Sequence, residues 1–398
     1  MNILVVGGTT EAQEYLCEQG YNLHLITNRR ELKFGHGAIN ACSQAFICDF
    51  TEEDHFDELY QFVRQIHSLY QYEYILSFND RGLKAAAYLS NQLMVKGFNW
   101  YSVRGTQNKL LFRKAMQKLP KYQVPFAEID SYESLVQFWH AHQRIVLKPS
   151  EGTGSKGVIY IENGADLERG YMYTKKVSGA HPVLAEAYAE GVDYSVETYT
   201  SNGQHSLLAI TDKTNTGKPH YVGLLHCLPS KTDESTQHLI KEAVFECLSE
   251  LKWDFGTAHI ELKVQDHTVK IIEVQLRPGG NFNKFLHAAT GINIYELFHL
   301  TMQRKLSHPV SPKYNNAAAM VFFEGQTGVI RSIEGTHLFE QKEVVDYKIR
   351  VKEGERIKKD WSSTLDRPGY AICRGKSYEE AMALAQKLSK NIKFNTYE

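Results

Sequence analysis

Residues 257–281 read TAHIELKVQDHTVKIIEVQLRPGGN. Ala258 to Val264 alternates apolar with polar, Val269 to Leu276 does the same, and the QDHT between them is polar enough to turn a hairpin. With side chains at period two, His259, Glu261 and Lys263 share one face of the first strand. Glu273, Gln275 and Arg277 share one face of the second, leaving Ala258, Ile260, Leu262, Ile272, Val274 and Leu276 for a core. An ordinary half-buried hairpin exposes unrelated polar residues. This one gathers two carboxylates, an amide and a guanidinium on one surface, the equipment for holding magnesium against a phosphate. The bland alternative pairs the two glutamates with Lys263 and Lys270 as a solvated face.

Upstream, residues 145–161 read IVLKPSEGTGSKGVIYI. Two apolar runs flank a loop holding Gly152, Gly154 and Gly157. Glycines let backbone amides approach an anion, and Lys148 and Lys156 can counter its charge. A Walker A loop is excluded, because that requires GxxxxGK[ST] feeding a helix, whereas this loop returns into a β-branched run. The pattern predicts a strand–loop–strand flap, with a plain hairpin turn as the alternative.

Together these segments resemble the ATP-grasp superfamily of carboxylate–amine ligases, and the likeness extends over most of the chain. MNILVVGGTTEAQEYL resembles the opening of the Rossmann-like domain that precedes the grasp, and TQNKLLFRKAMQ (106–117) the stretch whose lysine, here Lys109, reaches the nucleotide. VLKPSEGTGSKGV is similar to the second lysine and flap, LAEAYAEGVDYSVE (184–197) to the hinge that holds the base, and EVQLRPGGN to the metal-and-phosphate strand. LDRPGYAICRGKSYEEAMALAQKL (365–388) is similar to the closing segment of the branch containing L-amino-acid ligases and related peptide ligases.

The resemblance implies ATP and Mg2+ as cofactors, with Mn2+ as the alternative ion. It implies Lys109, Lys148, Gly154, Ser155, Lys156 and Gly157 around the phosphates. Glu186 would accept from the adenine amino group, backbone at Ala187 and Tyr188 would read the ring edge, and Asp193 would take the ribose hydroxyls. Glu261 and Glu273 would ligate magnesium, with Gln275 beside them where the family usually has asparagine. Arg277 would steady the transferring phosphoryl group, with Lys148 as its catalytic companion. His226, His259, Gly279, Gly280 and Asn281 would meet substrate. Relatives often carry a carboxylate shortly before the histidine of a stretch resembling YVGLLHCLPS (221–230), and Gly223 stands there instead. That glycine is expected to leave no ammonium partner, and room for an N-acyl group or bulkier side chain.

Alternating patterns predict an α/β chain in four parts. Residues 1–104 read as a parallel Rossmann-like domain with helices over about 10–19, 52–70 and 84–94. Its Gly7-Gly8-Thr9-Thr10 turn is not GxGxxG, so no dinucleotide is expected there. Residues 105–182 read as a small lid with helices over 109–119 and 132–142, and 183–309 as the larger half with the metal site. A proline-bearing linker at 308–316 leads into a C-terminal subdomain, 310–398.

Charged residues are 23% and net charge is −1, which excludes a basic footprint for nucleic acid or anionic membrane. Cys17, Cys42, Cys48, Cys227, Cys247 and Cys373 form no CxxC, and the N-terminus runs straight into a strand. A cytoplasmic protein is expected, with small acid and amine substrates as partners and a homodimer as its assembly. The expected activity is amide formation through an acyl phosphate. A carboxylase-type ligase and a non-catalytic nucleotide sensor are the alternatives.

Overall fold

The computed structural model describes residues 1–34 and 36–398, the side chains of 33 and 34 excepted. Five parallel strands open the chain, in the order Gln44–Ile47, Asn22–Thr27, Asn2–Val6, Tyr74–Leu76, Lys96–Gly97. Ile3 and Val5 pack on the side of Ala12 and Leu16 in the helix Thr10–Glu18. Leu4 and Val6 pack on the other, against Phe56, Leu59 and Val63 of the helix Phe56–Tyr70. A central strand buried on both faces explains why ILVV is apolar without alternation.

The third of the expected helices spans Asp80–Leu93 and starts four residues earlier than expected, because the Asn79 side chain caps it by accepting from Gly82 N at 3.0 Å. That shift puts Asp80 in its first turn. The helix Lys109–Met116 starts where predicted, capped by Asn108, and ends three residues short of Leu119.

The lid sheet has the order Phe126–Ile129, Val183–Ala187, Ile145–Pro149, Ile159–Ile161. Helices Tyr132–His142 and Leu167–Ser178 supply Leu135 and Leu167 to its core. The strand Val183–Ala187 therefore belongs to the lid sheet, beyond the expected break after 182. Its apolar run pairs on both edges and needs a central place.

Eight antiparallel strands form the main sheet: Thr268–Gln275, Phe255–Gln265, Val192–Ser201, Gln204–Asn215, Gly223–Leu228, Ala317–Phe322, Gly369–Gly375 and Val344–Ile349. The last three come from beyond the 308–316 linker, so the C-terminal segment extends the main sheet. It adds a three-stranded sheet, Arg356–Ile357, Gly328–Glu334, Lys393–Tyr397, and the helix Tyr378–Asn391, which buries Ala381, Ala385 and Leu388. Among the described residues no helix is long and apolar enough to cross a membrane. All six cysteines are free thiols.

Candidate active site

A cavity of about 400 Å3 lies between lid sheet, main sheet and C-terminal strands. Its wall contains Lys109, Lys148, Gly154, Ser155, Lys156, Glu186, Ala187, Tyr188, Asp193, His226, His259, Glu261, Glu273, Gln275, Arg277, Gly279, Gly280 and Asn281. Residues spread over 173 positions of sequence thus meet around one space. Gly157 is the exception. It is buried at the flap's base with φ +79°, and an added Cβ would lie 2.9 Å from Val177, so its task is close packing.

The hairpin is formed by Phe255–Gln265 and Thr268–Gln275, joined through Asp266 and His267, both at positive φ. Glu261 pairs with Glu273 and His259 with Gln275. A register shift follows Glu261, where Leu262 pairs with Ile271. The bulge corrects the expected core face: Ile271 is fully buried, while Ile272 turns to the cavity beside Glu273.

The two glutamates do not pair with Lys263 and Lys270. Lys213 Nζ lies 2.6 Å from Glu261 and Lys109 Nζ 3.1 Å from Glu273. Lys263 instead meets Tyr188 Oη at 3.1 Å and Asp193 at 3.5 Å, and Lys270 bonds the carbonyl of Lys121. Lys213 holds the Glu261 carboxyl well below the usual range, against burial. Burial also pulls His259 down, but Glu197 and Glu261 outweigh it and raise its pKa to about 9, so it rests as an imidazolium. Glu197, 2% exposed and ion-paired with His259, was not foreseen.

Arg277 is held by Asp80, Nε to Oδ1 at 2.6 Å and Nη2 to Oδ2 at 2.7 Å. The Gln275 amide oxygen accepts from the same guanidinium, so its carbonyl is turned toward Arg277. Gly279 N–H is directed at Glu197 Oε2, 3.4 Å away, instead of standing free for a substrate oxygen. Gly280 has open space where a Cβ would be, and Asn281, at φ +59°, stands at the N-cap position of the helix Phe282–Thr290 without a side-chain cap bond.

On the opposite wall, Lys148 Nζ lies 2.6 Å from Glu186 Oε2, and Arg113 Nε donates to Glu186 Oε1 at 2.7 Å. Burial pushes the Glu186 carboxyl up, but Arg113 and Lys148 outweigh it and hold it at about 2. Both carboxylate oxygens have cationic partners, so Glu186 positions Lys148 and is no free acceptor for an amino group. The N–H groups of Ala187 and Tyr188 also have partners, Pro125 O and Arg144 O, each at 2.9 Å. What this wall offers a flat base is a cluster of Tyr160, Tyr188 and Tyr221, with Tyr160 and Tyr188 centroids 4.7 Å apart. Asp193 receives a hydrogen bond from Asn215 at 2.9 Å and keeps its place beside that cluster. The flap tip is tied down by Thr364 N donating to Gly154 O at 3.1 Å.

Gly223 does not leave the expected room. A Cβ there would lie 2.9 Å from His226 Nε2 and 3.0 Å from Arg367 Nη2, so a guanidinium fills the space.

Magnesium takes oxygen donors, keeps several waters, and is held by one or two carboxylates plus substrate phosphates. Among the described residues no three His, Cys, Asp or Glu surround a common point. The facing Glu261 and Glu273 are a donor set of the size that ion uses alongside a nucleotide. Each already carries an ammonium group, so the spot favours cations, and the residues fit.

The model of the ATP-grasp domain matches residues 141–283, and that of the L-amino acid ligase C-terminal domain 2 matches residues 321–397. The L-amino acid ligase from Bacillus licheniformis superposes with a TM-score of 0.84 at 21% identity, covering 100% of this chain and 99% of that one. The chain has the ATP-grasp fold. Another fold likeness is the biotin carboxylase of Campylobacter jejuni, at TM-score 0.70 and 14% identity over 98% and 92% of the two chains. In sequence, the chain is similar to the carbamoyl phosphate synthase large chain of Methanobrevibacter smithii, 22% identical over 231 residues, or 54% of this chain and 22% of that protein. It spans about a fifth of the length of the curated relatives it matches. Within the ATP-grasp frame, sequence reading missed Asp80, Arg113, Glu197, Lys213 and Arg367. Arg113 alone left a local trace, standing three positions from both Leu110 and Met116 on the apolar stripe of its helix.

Proposed function

We propose that the protein is an ATP-dependent carbon–nitrogen ligase that joins a small carboxylic or amino acid to an amine. The carboxylate oxygen attacks the γ-phosphorus of ATP, the bond to the β,γ-bridging oxygen breaks, and acyl phosphate and ADP result. The amine then attacks the acyl carbon, phosphate leaves, and a proton is released from nitrogen. The observation that carries this reading is the Glu261–Glu273 rung set beside the Asp80-held Arg277 in one cavity with Lys148.

Each residue has a task in that scheme. Lys109, Lys148 and Lys156 offset phosphate charge, with Lys148 kept in place by Glu186. Glu261 and Glu273 would hold Mg2+, which neutralises the phosphate oxygens during transfer. Arg277, its Nε and Nη2 edge held by Asp80, would set a fixed positive charge toward the equatorial oxygens, where preorganised charge supplies most of the acceleration. The flap, docked on Thr364, excludes water that would hydrolyse the acyl phosphate.

A second reading, carboxylation of a substrate, is favoured by the fold likeness to biotin carboxylase. Incubation with ATP, Mg2+ and a pool of amino acids and small acids separates the two. ADP release matched by new condensation masses is the expected result. ADP release that requires bicarbonate and yields no amide would favour carboxylation, and nucleotide binding without turnover would favour a sensor.

A further inference from the structure

One wall of the cavity carries positive charge with no carboxylate against it. Arg367 follows the short helix Thr364–Asp366, Arg350 follows the strand Val344–Ile349, and both line the cavity. Arg367 Nη2 donates to Gly223 O at 2.7 Å, and its guanidinium carbon lies 3.7 Å from the centre of the Phe322 ring. Arg350 lies over Tyr370 at 5.7 Å. Among the described residues no aspartate or glutamate forms an ion pair with either arginine, although other charged groups of this wall are paired. Two buried polar atoms here, Arg367 Nε and His226 Nε2, lack any hydrogen-bond partner.

Buried polar atoms without partners are costly and call for an explanation, a bound group among them. Burial and the neighbouring Arg350 push the Arg367 pKa down to about 9, the signature of a cation short of an anion. Glu261 pulls the other way, but it is occupied by Lys213 at 2.6 Å. The Phe322 face fixes the guanidinium plane, and a planar fork matches a carboxylate with two parallel hydrogen bonds. Met320, Phe282 and Phe285 line the same cavity and suit a short carbon chain.

We propose that Arg367, assisted by Arg350, binds a substrate carboxylate other than the one being activated. Resting on the ligase reading, this makes the acid a dicarboxylate or acidic amino acid, or makes the amine an amino acid held by its α-carboxylate. Gly223 is then the position that admits Arg367, and the polarity expected of an ammonium pocket is reversed.

Calorimetric titration of the full chain with Mg2+ and a non-hydrolysable ATP analogue tests this. One arm compares succinate with succinamate and L-glutamate with L-glutamine; the other compares glycine with glycinamide. In at least one arm the carboxylate should bind about tenfold tighter than its amide, and Arg367→Met should abolish that preference while leaving analogue affinity unchanged. The arm that responds identifies which substrate carries the group. Arg367→Lys, which keeps the charge without the fork, should weaken the preference, and it replaces the methionine variant if that one does not fold. No preference in the wild type, or a preference that survives both substitutions, overturns the proposal. A preference without any amide product under turnover conditions would sink the ligase reading and leave the carboxylate subsite standing.

Discussion

Asp80 and Arg277, 197 residues apart, form a two-pronged ion pair that joins the parallel N-terminal domain to the end of the Glu261–Glu273 hairpin. Asp80 stands in the first turn of its helix, and the guanidinium it holds faces the cavity. The pair sets where Arg277 can reach.

Asp80→Asn should therefore lower the rate of ADP release by about 10- to 100-fold, because an amide offers one acceptor where the carboxylate offered two. The KM for ATP should move little, since the lysines proposed to meet the nucleotide are untouched. A variant with kcat within twofold of wild type would show that Arg277 is positioned by other contacts.

Glu273→Ala should bring ATP turnover to background at saturating magnesium. The fold should survive: the side chain is 23% exposed and its pairing with Lys109 is a partly solvated one, a class worth about 1 kcal/mol or less. Steady-state ADP release and a thermal melt, run together, check both halves. Near-normal turnover would remove Glu273 from the metal site.

Glu186 links stability to pH. Its carboxyl titrates at about 2 in the folded protein against an ordinary value of 4.5. The depressed pKa means a stabilising contribution that is present above pH 4.5 and lost as pH falls toward 2. Glu186→Gln should be much less stable than wild type at pH 7, with the gap closing between pH 5 and pH 3. Urea unfolding at those three pH values reads it directly. A gap that stays constant would mean the carboxylate charge is not what matters.

The N-terminal domain should bind no NAD or NADP. Gly8 N–H, the amide a pyrophosphate would need, donates to Glu31 Oε2 at 3.1 Å, and Thr27 Oγ1 donates to the same oxygen. A carboxylate over the first turn repels phosphate as well as occupying its donor. Fluorescence titration should give no saturable change, and micromolar affinity for either dinucleotide would overturn the scaffold reading.

Much of this protein was legible locally. Alternation at period two marked a hairpin over 258–276 with a polar face, and glycine spacing between two apolar runs marked the flap. Continuous apolar strands separated by helical stretches marked the parallel domain. Each signal is a property of neighbouring residues, because strand and helix periods are set by backbone geometry alone. The failures were of another kind. One extra residue at the bulge turned Ile272 to the cavity and Ile271 to the core, and nothing in TVKIIEV announces which isoleucine it will be. Asp80, Glu197, Lys213 and Arg367 read along the chain as ordinary surface charges, and Arg113 showed only its place on an apolar helix stripe. Their roles come from partners between 48 and 197 residues away, as Lys213 with Glu261 and Asp80 with Arg277 show. A charge has no period, and only the folded chain decides which opposite charge, or which empty place, it faces.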